Sequence, residues 1–134
     1  MKYLLDTNIC IHIIRHKSMK IIQHLTSLAI GDVGLPAIVV AELQYGVQKS
    51  TDPNKNQQAL LQFLTPYVIV DFDQVAAIAY GKIRVDLERR GLPMGPLDLL
   101  IAAQALSRNL ILVTNNTREF SRVAQLQIED WTLL

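Results

Sequence analysis

The chain has 134 residues, half of them hydrophobic, which is the size of a single domain with one core. Its one cysteine, Cys10, excludes an internal disulfide and suggests a reducing cytoplasm, and no apolar run reaches the roughly 18 residues of a membrane-spanning helix. Thirteen Lys and Arg against twelve Asp and Glu give a net charge of +1, which excludes an overall basic protein but not a local basic patch.

Short apolar segments alternate with longer helical patterns along the first half of the chain. The strand over residues 3–5 ends at Asp6, an acid that comes too early in the chain for a signal peptide. Asp52 and Pro53 are a strong signal for the start of a helix. The polar composition of the overlapping segment 48–58 is interpreted as a loop between two helices. The spacing of the apolar residues predicts these elements in order: a strand over 3–5, helices over 8–16 and 18–29, a strand over 32–36, helices over 39–49 and from 53 to about 64, and a strand over 67–70.

The second half of the chain continues the alternation. Asp73 is expected to cap a long helix that reaches Arg90 and is ended by Gly91. Because the strands are continuously apolar instead of alternating, they predict a parallel sheet with helices on both faces, and residues 1–134 are predicted to form one α/β domain. The remaining expected elements are a helix over 96–108, a strand over 110–113, a short helix near 117–123 and a last strand near 126–129.

Four segments bring carboxylates towards one edge of this predicted sheet. Asp6 ends the first strand, and Glu42 lies about one turn into the helix after the second strand. Asp98 lies in the first turn of the helix before the fourth strand, and Glu119 follows that strand. In open parallel sheets, ligands bind beyond the carboxyl ends of the strands. Gathered carboxylates repel one another unless a hard cation neutralises them, and Mg²⁺ or Mn²⁺ is the natural occupant of such an oxygen site.

Each acid also has a purely structural interpretation. An Asp after a strand is often a turn or cap residue, which applies to Asp6. An acid in a first helical turn, such as Asp98, is favoured by the helix dipole alone. Glu119 has arginines on either side as local partners. The mixed-charge segment 82–90 is typical of a solvated helix face, although its cations could contact a phosphate backbone.

Five short motifs follow one another along the chain: LLDTN at 4–8, AELQYG at 41–46, GPLDLLIAA at 95–103, VTNNTREF at 113–120 and EDW at 129–131. Together they resemble the PIN-domain family and, more narrowly, the VapC toxins of bacterial type II toxin–antitoxin pairs. Each motif alone is weak, but the ordered set spans essentially the whole chain. The resemblance implies a single PIN-like domain with a parallel sheet of about five strands.

The resemblance also implies a Mg²⁺-dependent endoribonuclease, for which Mn²⁺ could substitute. Asp6, Glu42 and Asp98 match the acidic triad of the family and would hold the ion as catalytic residues. The family often has a fourth acid after the fourth strand, where this chain has Asn116. Either Asn116 holds a metal-bound water, or Glu119 substitutes as a fourth catalytic acid.

Two threonines and several partners complete what the resemblance implies. Thr7 and Thr114 are expected to hydrogen-bond the carboxylates. The substrate would be tRNA, with the anticodon region of initiator tRNA a favoured target. A cognate VapB-type antitoxin would neutralise the toxin and supply its only contact with operator DNA. A homodimer is expected, and no membrane partner.

The motifs also have three other interpretations. A hydrolase of the haloacid dehalogenase type needs a second Asp two residues after Asp6, where this chain has Asn8. A receiver-like domain needs paired acids and a late lysine, neither of which is found. A catalytically degenerate PIN-like module that binds RNA or protein stays open because of Asn116.

Overall fold

The computed structural model describes residues 1–134 as an α/β domain built from five strands and seven helices. The strands are β1 (Tyr3–Leu5), β2 (Val33–Pro36), β3 (Val68–Val70), β4 (Ile111–Val113) and β5 (Ile128–Glu129). The helices are α1 (Thr7–His16), α2 (Met19–Ser27), α3 (Ala37–Gln48), α4 (Pro53–Leu64), α5 (Gln74–Arg89), α6 (Pro96–Ser107) and α7 (Thr117–Phe120), followed by a 3₁₀ turn over Trp131–Leu133.

The strands form one parallel sheet in the order β3-β2-β1-β4-β5, so the predicted fold class is confirmed. From β1 the chain adds β2 and β3 on one side and then returns to add β4 and β5 on the other. The strand order therefore switches between β1 and β4, and a ligand cleft is expected at the carboxyl ends of these two strands. Because α6 leads into β4, the first turn of α6 lies at the same edge.

Most predicted bounds agree with the structure within two residues, with two exceptions. The short helix α7 ends at Phe120 instead of 123, because the backbone continues in tighter turns with N–H groups bonded three residues back. The interpretation of residues 48–58 as a loop is wrong, because α4 begins at Pro53. The side chain of Asp52 caps α4 by accepting from the Lys55 N–H at 3.2 Å. The segment is polar because much of the first two turns of α4 faces solvent.

The centre of the core lies on β1, β4 and α6. Leu4, Leu5 and Leu112 have no exposed surface, as expected for strands that are covered on both faces. Helix α6 is buried around most of its circumference, and its one buried amide, Gln104, donates from Nε2 to the carbonyl oxygens of Val70 and Asp71, both at 3.0 Å. No helix has both the length and the hydrophobicity needed to cross a bilayer.

Gly34 in β2 and Gly46 in α3 should respond in opposite ways to substitution by alanine. A Cβ on Gly34, in β2, would lie 2.7 Å from Met1 Sδ, at the end of a flexible side chain, and 3.1 Å from the carbonyl oxygen of Val68 on the neighbouring strand. We expect Gly34→Ala to lower the free energy of unfolding by about 1–2 kcal/mol, because backbone in a sheet cannot move aside. A Cβ on Gly46, inside α3, meets nothing within 4 Å, so Gly46→Ala should stabilise by about 0.5–1 kcal/mol. Urea unfolding checks both values, and a stabilising Gly34→Ala would contradict the register of β2 and β3.

Candidate active site

Asp6 is the most enclosed carboxylate of the site. It directly follows β1 and is only 2% exposed. Its Oδ2 accepts a hydrogen bond from Thr114 Oγ1 at 2.6 Å, which lowers the pKa of the carboxyl, as the nearby backbone N–H groups of Thr7 and Asn8 also do. Burial nevertheless raises the pKa of Asp6, and the charge of Glu42 adds to the rise. The fold therefore holds a carboxylate where its ionised form is costly.

Glu42 reaches the site from the second turn of α3. Because α3 begins immediately after β2, this turn lies near the carboxyl edge of the sheet. Glu42 Oε1 accepts from Thr7 Oγ1 at 2.8 Å, and Thr7 is the first residue of α1. This bond fixes one oxygen of the carboxylate and leaves the other without a hydrogen bond from the protein.

Asp98 brings the third carboxylate from the first turn of α6. It is half-buried, and burial raises the pKa of Asp98 to about 6, with further contributions from the charges of Glu119, Asp6 and Glu42. The carboxylates of the other three segments therefore all act on Asp98, and Glu42 also acts on Asp6. None of the four forms an ion pair with a basic side chain.

Glu119 connects the loop after β4 to the start of α6. Its Oε1 accepts from the Gly95 N–H at 3.3 Å, and its Oε2 accepts from Asn116 Nδ2 at 2.9 Å. The Asn116 N–H in turn donates to Thr114 Oγ1 at 2.9 Å. The interpretation in which Glu119 pairs with its neighbouring arginines is wrong: neither guanidinium forms an ion pair with its carboxylate, and that of Arg122 donates to the Pro93 carbonyl oxygen instead.

These bonds form a continuous chain from Glu119 through Asn116 and Thr114 to Asp6. The sequence motifs include all four residues but do not show that the Asn116 amide holds Glu119. The motifs also do not indicate that the backbone N–H of Gly95 donates to Glu119, because every residue type except proline has a backbone N–H. Only the packing of α6 against the loop after β4 creates that contact.

The donor set of the site has the chemistry of a hard-cation site. Carboxylate oxygens without basic partners are the ligands that Mg²⁺ and Mn²⁺ prefer. No three His, Cys, Asp or Glu side chains converge on one point as a full ligand set. Mg²⁺ in proteins commonly binds only one or two carboxylates and keeps several waters, so the residues present fit such an ion.

A family model described as PIN domain matches residues 3–126 of the chain. The tRNA(fMet)-specific endonuclease VapC of Shigella flexneri is 42% identical over 132 residues, which cover 98% of this chain and 99% of that protein. Ribonuclease VapC2 of Rickettsia felis is 43% identical over 132 residues, covering 98% of each chain.

Solved structures agree with these relatives. The crystal structure of VapBC2 from Rickettsia felis bound to a DNA fragment from their promoter has a TM-score of 0.93 to this chain, at 42% identity, covering 98% of this chain and 99% of that one. DNA-bound VapBC from Salmonella typhimurium has a TM-score of 0.93 at 41% identity, covering 98% of each chain.

The raised pKa of Asp98 makes stability depend on pH in the metal-free chain. Between pH 3.8 and about 6 the folded chain holds a proton that the unfolded chain releases, so the stabilisation present below this window is lost as the pH rises through it. Asp98→Asn should remove this dependence of stability on pH. At pH 7 it should raise the free energy of unfolding by roughly 1 kcal/mol, once solvent screening is allowed for.

The measurement is urea unfolding in EDTA across this pH range, with Asp71→Asn as the matched control because Asp71 has an exposed carboxylate outside the site. The control should keep the slope of the unmodified chain. If Asp98→Asn is instead less stable at every pH, Asp98 acts mainly as a helix-start residue.

Proposed function

Because the chain belongs to the PIN-domain family and is an endoribonuclease of the VapC type, we propose that it is the toxin of a type II toxin–antitoxin pair in the cytoplasm. It cleaves tRNA with Mg²⁺, for which Mn²⁺ can substitute, and a cognate VapB-type antitoxin neutralises it. The observation that carries this proposal is the group of four carboxylates at the switch in strand order, which have no basic partners and of which three act on the fourth, Asp98.

Asp6 and Asp98 would hold the ion, and Glu42 would complete or orient its ligands. When bound, the cation supplies a Lewis acid for the charge that develops on the scissile phosphate. The Thr114 hydroxyl keeps one oxygen of Asp6 in place, and the Thr7 hydroxyl does the same for Glu42. Ligand oxygens held in this way need little rearrangement when the substrate arrives.

The contacts of Asn116 favour an active enzyme over a degenerate binding module. Asn116 replaces the acid that the family often has after the fourth strand, but its amide holds Glu119 at 2.9 Å. The charge of Glu119 acts directly on Asp98. We therefore propose that Glu119 is the fourth acid and that Asn116 positions it.

Support for the substrate and partners comes from the relatives. The Shigella flexneri protein, similar over nearly the full length of both chains, is named for tRNA(fMet), and we propose initiator tRNA as the substrate here. The neighbouring VapBC structures are complexes, two of them with DNA, so we propose that this chain meets operator DNA through its antitoxin. A homodimer is also proposed, and the exposed apolar face of α5 formed by Val75, Ile78 and Val85 offers a surface for it.

The test is cleavage of an initiator tRNA transcript by the purified chain, with Mg²⁺ and with EDTA, beside an elongator tRNA. We expect cleavage only with the ion and a loss of at least about 100-fold in rate for both Asp6→Asn and Asp98→Asn, since each removes a charged ligand oxygen. Glu88→Gln is the matched control, because this exposed acid pairs only with Arg84, and it should cleave at the unmodified rate.

Two results would contradict the proposal in different ways. Cleavage that survives EDTA, or that Asp6→Asn leaves unchanged, would mean that the carboxylates do not carry the reaction. Equal cleavage of initiator and elongator tRNA would be consistent with a ribonuclease but would contradict the proposed preference for initiator tRNA.

A further inference from the structure

The segment of residues 7–31, which includes α1 and α2, differs in charge from the acidic site beside it. The segment contains no Asp or Glu but carries Arg15, Lys17 and Lys20, together with all three histidines of the chain. All three cations are exposed, and none forms an ion pair. By contrast, two arginines in the segment 82–90 pair with acids of α5, at 2.9 and 2.6 Å. The positive charge on α1 and α2 is therefore available to an external partner.

This basic segment begins at the site itself. Asp6 is the N-cap of α1. By their helical spacing, residues 8, 12, 15 and 16 lie on one face of α1. Arg15 lies about 14 Å along the helix axis from Asp6, at 1.5 Å per residue. The rings of His12 and His16 lie beside each other on this face, with centroids 4.5 Å apart. Imidazole N–H groups can donate to phosphate oxygens, and the ring faces can stack on a base.

Lys17 occupies a backbone conformation that favours glycine. It ends α1 with φ 48° and ψ 42°, in the left-handed region, where a side chain is strained. The other exposed cations of the segment sit in ordinary helical positions. A lysine kept at a strained position is a reason to look for a role of its side chain.

We propose that the α1 track, defined as His12, Arg15, His16, Lys17 and Lys20, binds the phosphate backbone of the RNA on one side of the cleaved bond. The inference rests on the proposed function and adds to it the surface that holds the substrate. Four carboxylates repel a polyanion unless a cation surface beside them attracts it, and the α1 track supplies that attraction. Its continuity with Asp6 favours RNA over an acidic protein as the partner.

The test measures binding in EDTA, where no metal-dependent cleavage occurs, by the fluorescence anisotropy of a fluorescein-labelled initiator tRNA transcript. The track variant combines Arg15→Gln, Lys17→Gln and Lys20→Gln. The matched control combines Lys2→Gln, Lys49→Gln and Lys55→Gln, which removes the same charge from exposed cations outside the track, outside any ion pair and outside the segment 82–90.

We expect the track variant to weaken RNA binding at least about tenfold at about 0.1 M salt, and to reduce the slope of log K against log[salt] by about 2, as three lost phosphate contacts require. The control should keep the slope. The inference is overturned if the track variant binds within twofold of the unmodified chain, or if the control loses as much. Loss of antitoxin binding with RNA binding retained would assign the surface to a protein partner and also overturn it.

Lys17→Gly separates a binding role from a structural one. Glycine relieves the strain, so its Tm should equal or exceed that of the unmodified chain, while its KM for tRNA rises and kcat stays constant. An unchanged KM would count against the track. If the unmodified chain cleaves no RNA at all, the proposed function fails, whereas the binding measurement in EDTA still decides for or against the track.

Discussion

Asp6 places an almost fully enclosed carboxylate at the carboxyl end of β1, the central strand of the sheet. Transfer of an unpaired carboxylate out of water costs several kcal/mol, and the hydrogen bond from the Thr114 hydroxyl offsets only part of that cost here. The position cannot relax, since Leu4 and Leu5 before it have no exposed surface. The other parts of the site are arranged around this one buried charge.

The remaining acids reach the same edge because the topology directs them there. Helix α3 leaves β2 and α6 enters β4, so the early turns of both helices lie at the carboxyl ends of the strands. Hydrogen bonds from Thr7 to Glu42 and from Gly95 to Glu119 then fix the carboxylates without neutralising them. Concentrating like charges in this way destabilises the metal-free chain, which is typical of sites that are organised for function instead of stability.

Much of this arrangement could be predicted from the sequence. The alternation of apolar strands and helices indicates the parallel sheet, and the position of Asp98 after Pro96 predicts its place at the start of α6. The polarity of residues 48–58 wrongly indicated a loop, because α4 begins within this segment after the Asp52 cap and its first turns face solvent. The role of Gln104 could not be predicted either, because its partners are backbone carbonyls of a segment that is distant in sequence.

If the carboxylates form one site for a divalent cation, as we propose, Mg²⁺ added at constant ionic strength should raise the Tm of the chain. An ion that binds only the folded chain stabilises it by about 1.4 kcal/mol at ten times its Kd, which is a shift of several degrees. We expect this shift for the unmodified chain and its loss in Asp6→Asn. No shift at millimolar Mg²⁺, or an equal shift in Asp6→Asn, would contradict the proposed site.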